Sequence, residues 1–224
     1  MMYKDNQNGR SMVEMMGYLM VVMGVIIAMG RIVSSAFDNH KYSTASLQLT
    51  ELVNALVKAS AIDYDYSEVV DTINMQNGKT ETEARALIPN TYKVVVASGS
   101  ISIYHAFGGT VKVATADENT KLVISYEKLS KKQCVELAMK DWRKNQYADL
   151  FSIDVNGEDW YWVAYGDGTN SDTTLQKLKD GDCSDGKNKG PCALPMRRSA
   201  LTGVGNDDGQ CKDSRNNKVI WTFN

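Results

Sequence analysis

Between Glu14 and Arg31 the chain runs for sixteen residues without a charge, MGYLMVVMGVIIAMG at its heart, and this stretch limits the possible folds most. As a helix it extends ~24 Å at 1.5 Å per residue, against a hydrocarbon core about 30 Å thick. It is apolar on every face, so it must be covered by lipid or by other helices. Eight of the eleven methionines fall in the first 29 residues, and soft methionine side chains suit either setting. Glu14 stands at the mouth of this run. A carboxylate there is costly and marks a functional position with a partner.

Length, charge and cysteines narrow the remainder. The 224 residues carry a formal net charge of −2, so nothing points to nucleic-acid binding. The four cysteines, Cys134, Cys183, Cys192 and Cys211, contain no C-x-x-C pair, which disfavours zinc-ribbon and thioredoxin readings. An even count behind an apolar segment favours disulfides in an oxidising compartment. Four cysteines allow three connectivities, and spacing alone does not choose among them.

Three readings of the N-terminus compete: a secretory signal peptide ending near Ser34-Ser35-Ala36, a plain single-span anchor, and a processing site within the sequence Gly9-Arg10-Ser11-Met12-Val13-Glu14. The last, placed directly before an apolar helix, resembles the leader signal of type IV pilins and pseudopilins. The resemblance implies that a prepilin peptidase cuts after Gly9, leaving Arg10 as the methylated N-terminus. It also implies that Glu14, fifth in the mature chain, pairs with a neighbour's amine at Arg10 when subunits bundle their helices. A paired buried carboxylate costs far less than a lone one, so the pair would set registry between subunits. An intrachain pair across the i, i+4 spacing of Arg10 and Glu14 competes with it. The family usually begins its mature chain with an apolar or aromatic residue, and this sequence has Arg10. The leader is nearly neutral, with Lys4 beside Asp5.

No proline occurs before Pro89, and Leu49, Leu52, Val53 and Leu56 follow helical spacing. One helix from about Ser11 to about Ser60 is expected, amphipathic in its second half, with Gln48, Glu51, Asn54 and Lys58 on the polar face. Two helices broken near Phe37-Asp38-Asn39 are the alternative. Short helices are expected around Val69–Ile73 and after Thr80, where Thr80-Glu81-Thr82-Glu83 reads as a capping box. The period then becomes two. Strands are expected over 92–98, 100–107, 110–115 and 121–126, followed by a helix capped by Ser130 and running to about Asn145. A hairpin over 150–155 and 160–165 turns at Asn156-Gly157. The stretch 166–215 reads as loop, and 218–223 as a last strand.

The series FGGTVKVAT, LVISYEKLSKKQC, FSIDVNG, a late cysteine and a terminal VIWTF is similar to type IVb pilins, the group of the toxin-coregulated and bundle-forming pilins. That likeness implies an α+β ladle fold: a long N-terminal helix on an antiparallel sheet with a disulfide-stapled C-terminal region. It implies a leader over 1–9, a helix over 10–60 (10–31 in membrane or filament core, 32–60 amphipathic) and a head over 61–224. Carried over from the family, Cys134 pairs with Cys211, leaving Cys183 with Cys192. The implied function is that of a major pilin that polymerises into a helical homo-oligomer for adhesion, aggregation or motility. The implied partners are the prepilin peptidase and the pilus assembly machinery, and the implied location is the inner membrane, then the cell surface. A minor pilin or secretion pseudopilin shares the N-terminal logic, and a membrane-anchored ligand-binding protein is the rival from another class.

No enzyme motif appears, and no cofactor or metal is expected. His40 and His105 lack the neighbours of metal ligands. The aspartates at 167, 172, 180, 182 and 185 lack EF-hand spacing, so a solvated acidic loop is favoured over calcium. Trp160, Tyr161, Trp162 and Tyr165 read as core and interface ahead of a sugar-binding face.

Overall fold

The computed structural model describes residues 12–60, 65–140, 142, 150–157, 161–163, 192–193, 198–202 and 209–224. The protein is α+β. Helix α1 covers Met12–Ser60 without interruption, as the single-helix reading expects, so the alternative break at Phe37-Asp38-Asn39 is not there. The chain divides into two compact units, Met1–Lys41 and Tyr42–Asn224. The second half of α1 therefore belongs with the head.

Helices α2 (Ser67–Ile73) and α3 (Glu81–Leu87) follow. Thr80 caps α3 by the reciprocal bonding expected from its sequence, with Glu83 reaching back to the Thr80 amide at 2.7 Å. Among the described residues eight strands form one sheet: β1 (Lys93–Ala97), β2 (Ser100–Tyr104), β3 (Thr110–Ala116), β4 (Lys121–Leu129), β5 (Leu150–Val155), β6 (Tyr161–Val163), β7 (Cys192–Ala193) and β8 (Asn217–Phe223). Their order is β1-β2-β3-β4-β8-β5-β6-β7. Every pair is antiparallel except β6 with β7. The last strand is thus inserted between β4 and β5 at the centre. Helix α4 (Lys131–Met139) joins β4 to β5, and α5 (Arg198–Thr202) precedes the last strand.

Turn chemistry sets the hairpins. Ser98 and Gly99 both take positive φ (52° and 74°), as do Asn156 and Gly157 (69° and 66°). Two successive left-handed residues match the twist of the strands they join. The β4 strand carries a bulge between Tyr126 and Leu129, where Lys128 takes φ 60°. A regular strand puts residues 126 and 129 on opposite faces. The extra residue at Lys128 returns Leu129 to the core beside Tyr126, and both are fully buried.

One hydrophobic cluster fills the head. From α1 come Ala45, Leu49, Leu52, Val53 and Leu56, all without solvent exposure. They meet the sheet face carrying Ile103, Val111, Ile124, Val219 and Trp221. Aromatic rings link the layers: Tyr42 touches Phe107, Phe107 touches His105, His105 stacks on Tyr126, and Trp221 bridges Tyr126 to Trp142.

Three sequence expectations require correction. Helix α4 ends at Met139, not near Asn145, because Lys140 turns extended (ψ 139°). Trp142 is buried; it folds back and donates its indole N–H to the Leu137 carbonyl at 3.0 Å, satisfying one of the helix's terminal carbonyls. Gln48 was placed on the polar face of α1, yet it is only 2% exposed. Among the described residues, moreover, no helix is long and apolar enough to cross a membrane. The sixteen-residue run between Glu14 and Arg31, at ~24 Å, falls short of a bilayer core of about 30 Å.

Candidate assembly site

The first half of α1 exposes what the second half buries. Tyr18, Met20, Val21 and Met23 each leave two-thirds or more of their surface in solvent, and exposed apolar side chains continue to Phe37. A contiguous patch of this kind marks an interaction surface. Gly17, Gly24 and Gly30 lie within it, and a Cβ added at any of them would meet nothing within 4 Å. Each glycine costs about 1 kcal/mol relative to alanine in a helix interior. Among the described residues no contact requires that cost. Small residues do allow two helix backbones to approach closely.

Glu14 lies in the first turn of α1, exposed, and no ion pair reaches it among the described residues. A negative charge at a helix N-terminus is favourable in itself. Gly9 and Arg10 lie outside the described residues, as does the proposed Arg10–Glu14 contact.

The other end of the candidate machinery is the staple of the head. Cys134 and Cys211 form a disulfide, both fully buried and 77 residues apart. Cys134 sits in the first turn and a half of α4. That helix starts at Ser130, whose hydroxyl accepts from the Gln133 amide while Gln133 Oε1 accepts from the Ser130 amide. Cys211 is held by its own amide, which donates to the Leu201 carbonyl at 2.9 Å. Cys183 and the side chain of Cys192 lie outside the described residues, so their pairing is not part of this structure. The acidic positions 167–185, Trp160, Tyr165 and the side chains of Tyr161 and Trp162 also lie outside them.

Two asparagines that the sequence did not single out fix the loop bearing Cys211. Asn217, 1% exposed, donates to the carbonyls of Leu129, Lys212 and Ser214 and accepts from the Lys212 amide at 2.6 Å. Asn156 donates to the Gln210 carbonyl at 2.6 Å and to Asn217 Oδ1, and accepts from the Lys218 amide at 2.7 Å. Together they tie the ends of β4 and β8 and the β5–β6 turn to the 210–214 loop. The only sequence signal was Asn156-Gly157, read there as turn chemistry alone.

A second polar cluster seats α1 on the sheet. Gln48 Nε2 donates to the Thr91 carbonyl at 2.5 Å, and its Oε1 accepts from the Ala106 amide at 2.9 Å. His105 Nδ1 accepts from the Phe107 amide at 3.2 Å, so the proton sits on Nε2, which donates to the Glu127 carbonyl at 3.0 Å. Burial holds this imidazole below its ordinary pKa, against the bond to Glu127, which raises it. Tyr92 and Tyr126 share a 2.6 Å hydroxyl contact, with Tyr126 donating to the Ala45 carbonyl at 3.3 Å. Burial pushes both phenols up. On the opposite face of the sheet Glu127 lies between Lys112 and Lys218. Burial raises its pKa, but bonds from Lys112 and Thr110 and the two lysine charges outweigh this and leave it lowered.

Little here suits ligand chemistry. Among the described residues no group of three or more His, Cys, Asp or Glu converges to hold a metal. A 530 Å³ groove runs past Gln48, Thr91, Lys93, Tyr104 and His105. Backbone groups already occupy both ends of the Gln48 amide and both nitrogens of His105.

Against this geometry, the family comparison is decisive: residues 46–190, more than half of the chain, match the family model described as PilS N terminal. The chain belongs to the PilS family of type IV pilins. It is a pilin subunit, and the Cys134–Cys211 bridge carried over from the type IVb pattern is the one observed. Among solved structures, a type IVb pilin from Salmonella typhi is similar at 17% identity over 77% of this pilin and 96% of that chain, with a TM-score of 0.37. No curated protein matches.

Proposed function

We propose that this pilin is the major subunit of a type IVb-like pilus, polymerising through the first half of α1. The observation that carries the reading is the exposed apolar run from Met15 to Phe37, with three helix glycines that no contact among the described residues requires. Copies of the same segment are the occupants of that surface: their apolar faces match, and Gly17, Gly24 and Gly30 permit close backbone approach. The buried core, the disulfide and the asparagine clamp serve a rigid head displayed on the filament for adhesion, aggregation or motility.

Maturation follows the same reading. A prepilin peptidase removes residues 1–9 after Gly9, where the absence of a side chain clears the scissile bond, and Arg10 becomes the N-terminus. Residues 10–60 are then the assembly helix and 61–224 the head. Glu14 of one subunit accepts the N-terminal amine of the next, which fixes the stagger between copies.

Electron microscopy of cells with and without the gene tests the function: filaments present in one and absent in the other support it. Filaments unchanged on deletion would leave a minor pilin or a secretion pseudopilin. Mass spectrometry of mature protein should find Arg10 first, with the leader retained in Gly9→Val. Glu14→Ala should be cleaved normally, keep the melting temperature of the head and lose filaments. Normal filament numbers from that variant would overturn the pairing role.

A further inference from the structure

The described residues contain two Asn-Gly steps, Asn77-Gly78 and Asn156-Gly157, in opposite environments. Asn-Gly is the dipeptide whose asparagine is most open to attack by the following backbone nitrogen, because glycine offers no side chain to hinder the approach. At Asn156 every group the reaction uses is engaged. The amide nitrogen donates to Gln210 and Asn217 and the amide oxygen accepts from Lys218. The attacking nitrogen, that of Gly157, donates to Asp154 Oδ1 at 2.8 Å. At Asn77 the side chain is exposed, with one bond, from Nδ2 to Asp71 Oδ2 at 2.6 Å. The Gly78 amide donates to no atom among the described residues. A Cβ built on Gly78 meets nothing within 4 Å, so the turn is open to solvent.

We infer that Asn77 is a self-modification site, deamidating with water as the only co-reactant, and that the Asn217 clamp protects Asn156 from the same reaction. The Gly78 nitrogen bonds to Asn77 Cγ, the Cγ–Nδ2 bond breaks, and the nitrogen leaves as ammonia carrying the proton displaced from Gly78. Water then opens the five-membered imide at either carbonyl, giving aspartate or isoaspartate at position 77. The product places a carboxylate where an amide donor faced Asp71, so an attraction becomes a repulsion. Isoaspartate also adds a methylene to a backbone turn with φ 50° and 81° at residues 77 and 78. The change falls in the connection between α2 and α3, which Asn74 holds to the sheet through the Val113 carbonyl at 3.1 Å. The α2–α3 connection thus changes charge and geometry with age, while the disulfide-bearing end of the head does not.

Four hydrogen bonds restrain the reacting groups at Asn156 against one at Asn77. At roughly a factor of five per net bond in the opening equilibrium, the three extra bonds predict a rate ratio of about a hundred. The test incubates the full purified chain at mildly alkaline pH and follows both peptides by mass spectrometry, with isoaspartyl methyltransferase labelling to report isoaspartate. The expected result is conversion at Asn77, little at Asn156 and near-equal rates at both in denaturant. Gly78→Ala should slow conversion at residue 77, and Asn217→Ala should speed it at Asn156. Equal rates in the folded wild-type chain, no conversion at Asn77, or a ratio that persists in denaturant would each overturn the inference.

Discussion

Replacing Cys134 and Cys211 together by alanine removes a cross-link that closes a 77-residue separation. In the chain-entropy model a loop of that length restricts the unfolded ensemble by about 4.5 kcal/mol at room temperature. Both sulfurs are fully buried, and alanine avoids leaving a buried hydroxyl without a partner. The native fold should survive, because Asn217 and Asn156 still hold the 210–214 loop by hydrogen bonds. For a unit of this size each kcal/mol moves the midpoint by about 2–4 °C, so the Tm should fall by about 9–18 °C. Circular dichroism melting of the oxidised wild type and the double variant measures this without a reductant. A fall of less than about 3 °C, with the oxidised bond verified in the wild type, would refute the account of the staple.

Other perturbations follow from the same contacts. Asn217→Ala should cost about 3 kcal/mol in denaturant unfolding, since the buried Leu129 carbonyl and the backbone groups of Lys212 and Ser214 lose their partner; a loss below about 1 kcal/mol would count against the clamp. Gly109→Ala should destabilise by about 1–3 kcal/mol, because the new Cβ would overlap the Glu127 carbonyl oxygen and stand 2.5 Å from His105 Nε2; wild-type stability would contradict this. His105 has a lowered folded pKa, so its contribution is complete above the unfolded value of about 6.5 and is lost as pH falls from there through the folded value. The Tm should therefore drop between about pH 7 and pH 5, less so in His105→Gln, and a flat wild-type profile would refute it.

The parts of this fold that were legible are those set by neighbours in sequence. The helical spacing of Leu49, Leu52, Val53 and Leu56 located the buried stripe of α1, and Thr80 with Glu83 announced a real cap. Asn156-Gly157 marked its turn because φ is positive at both residues. The insertion of β8 between β4 and β5 was not legible: high β propensity at 218–223 identifies a strand but carries no information on which partners it takes. Strand β7 and helix α5 were missed inside a stretch that reads as loop, being only two and five residues long. Gln48 misled because a glutamine at that spacing matches a solvated face, while its buried amide serves backbone groups at Thr91 and Ala106, 43 and 58 residues away. The early stop of α4 at the extended Lys140, capped by Trp142 folding back on Leu137, follows from a side-chain contact that apolar periodicity does not signal. Of the candidate site, Glu14 and the apolar run were evident from the absence of charge, and the Cys134–Cys211 pair from family likeness, whereas Asn217 acts through five hydrogen bonds to four residues, Leu129, Asn156, Lys212 and Ser214.

The central claim is that copies of this pilin meet along the first half of α1. Gly24→Cys tests it most directly, because position 24 is exposed, makes no contact that a Cβ would disturb and lies mid-way along the apolar run. Filaments of this variant, oxidised gently and run on a non-reducing gel, should give covalent dimers that collapse to monomer on reduction. Normal filaments that yield monomer alone, while a cysteine placed on the head surface cross-links efficiently, would contradict it.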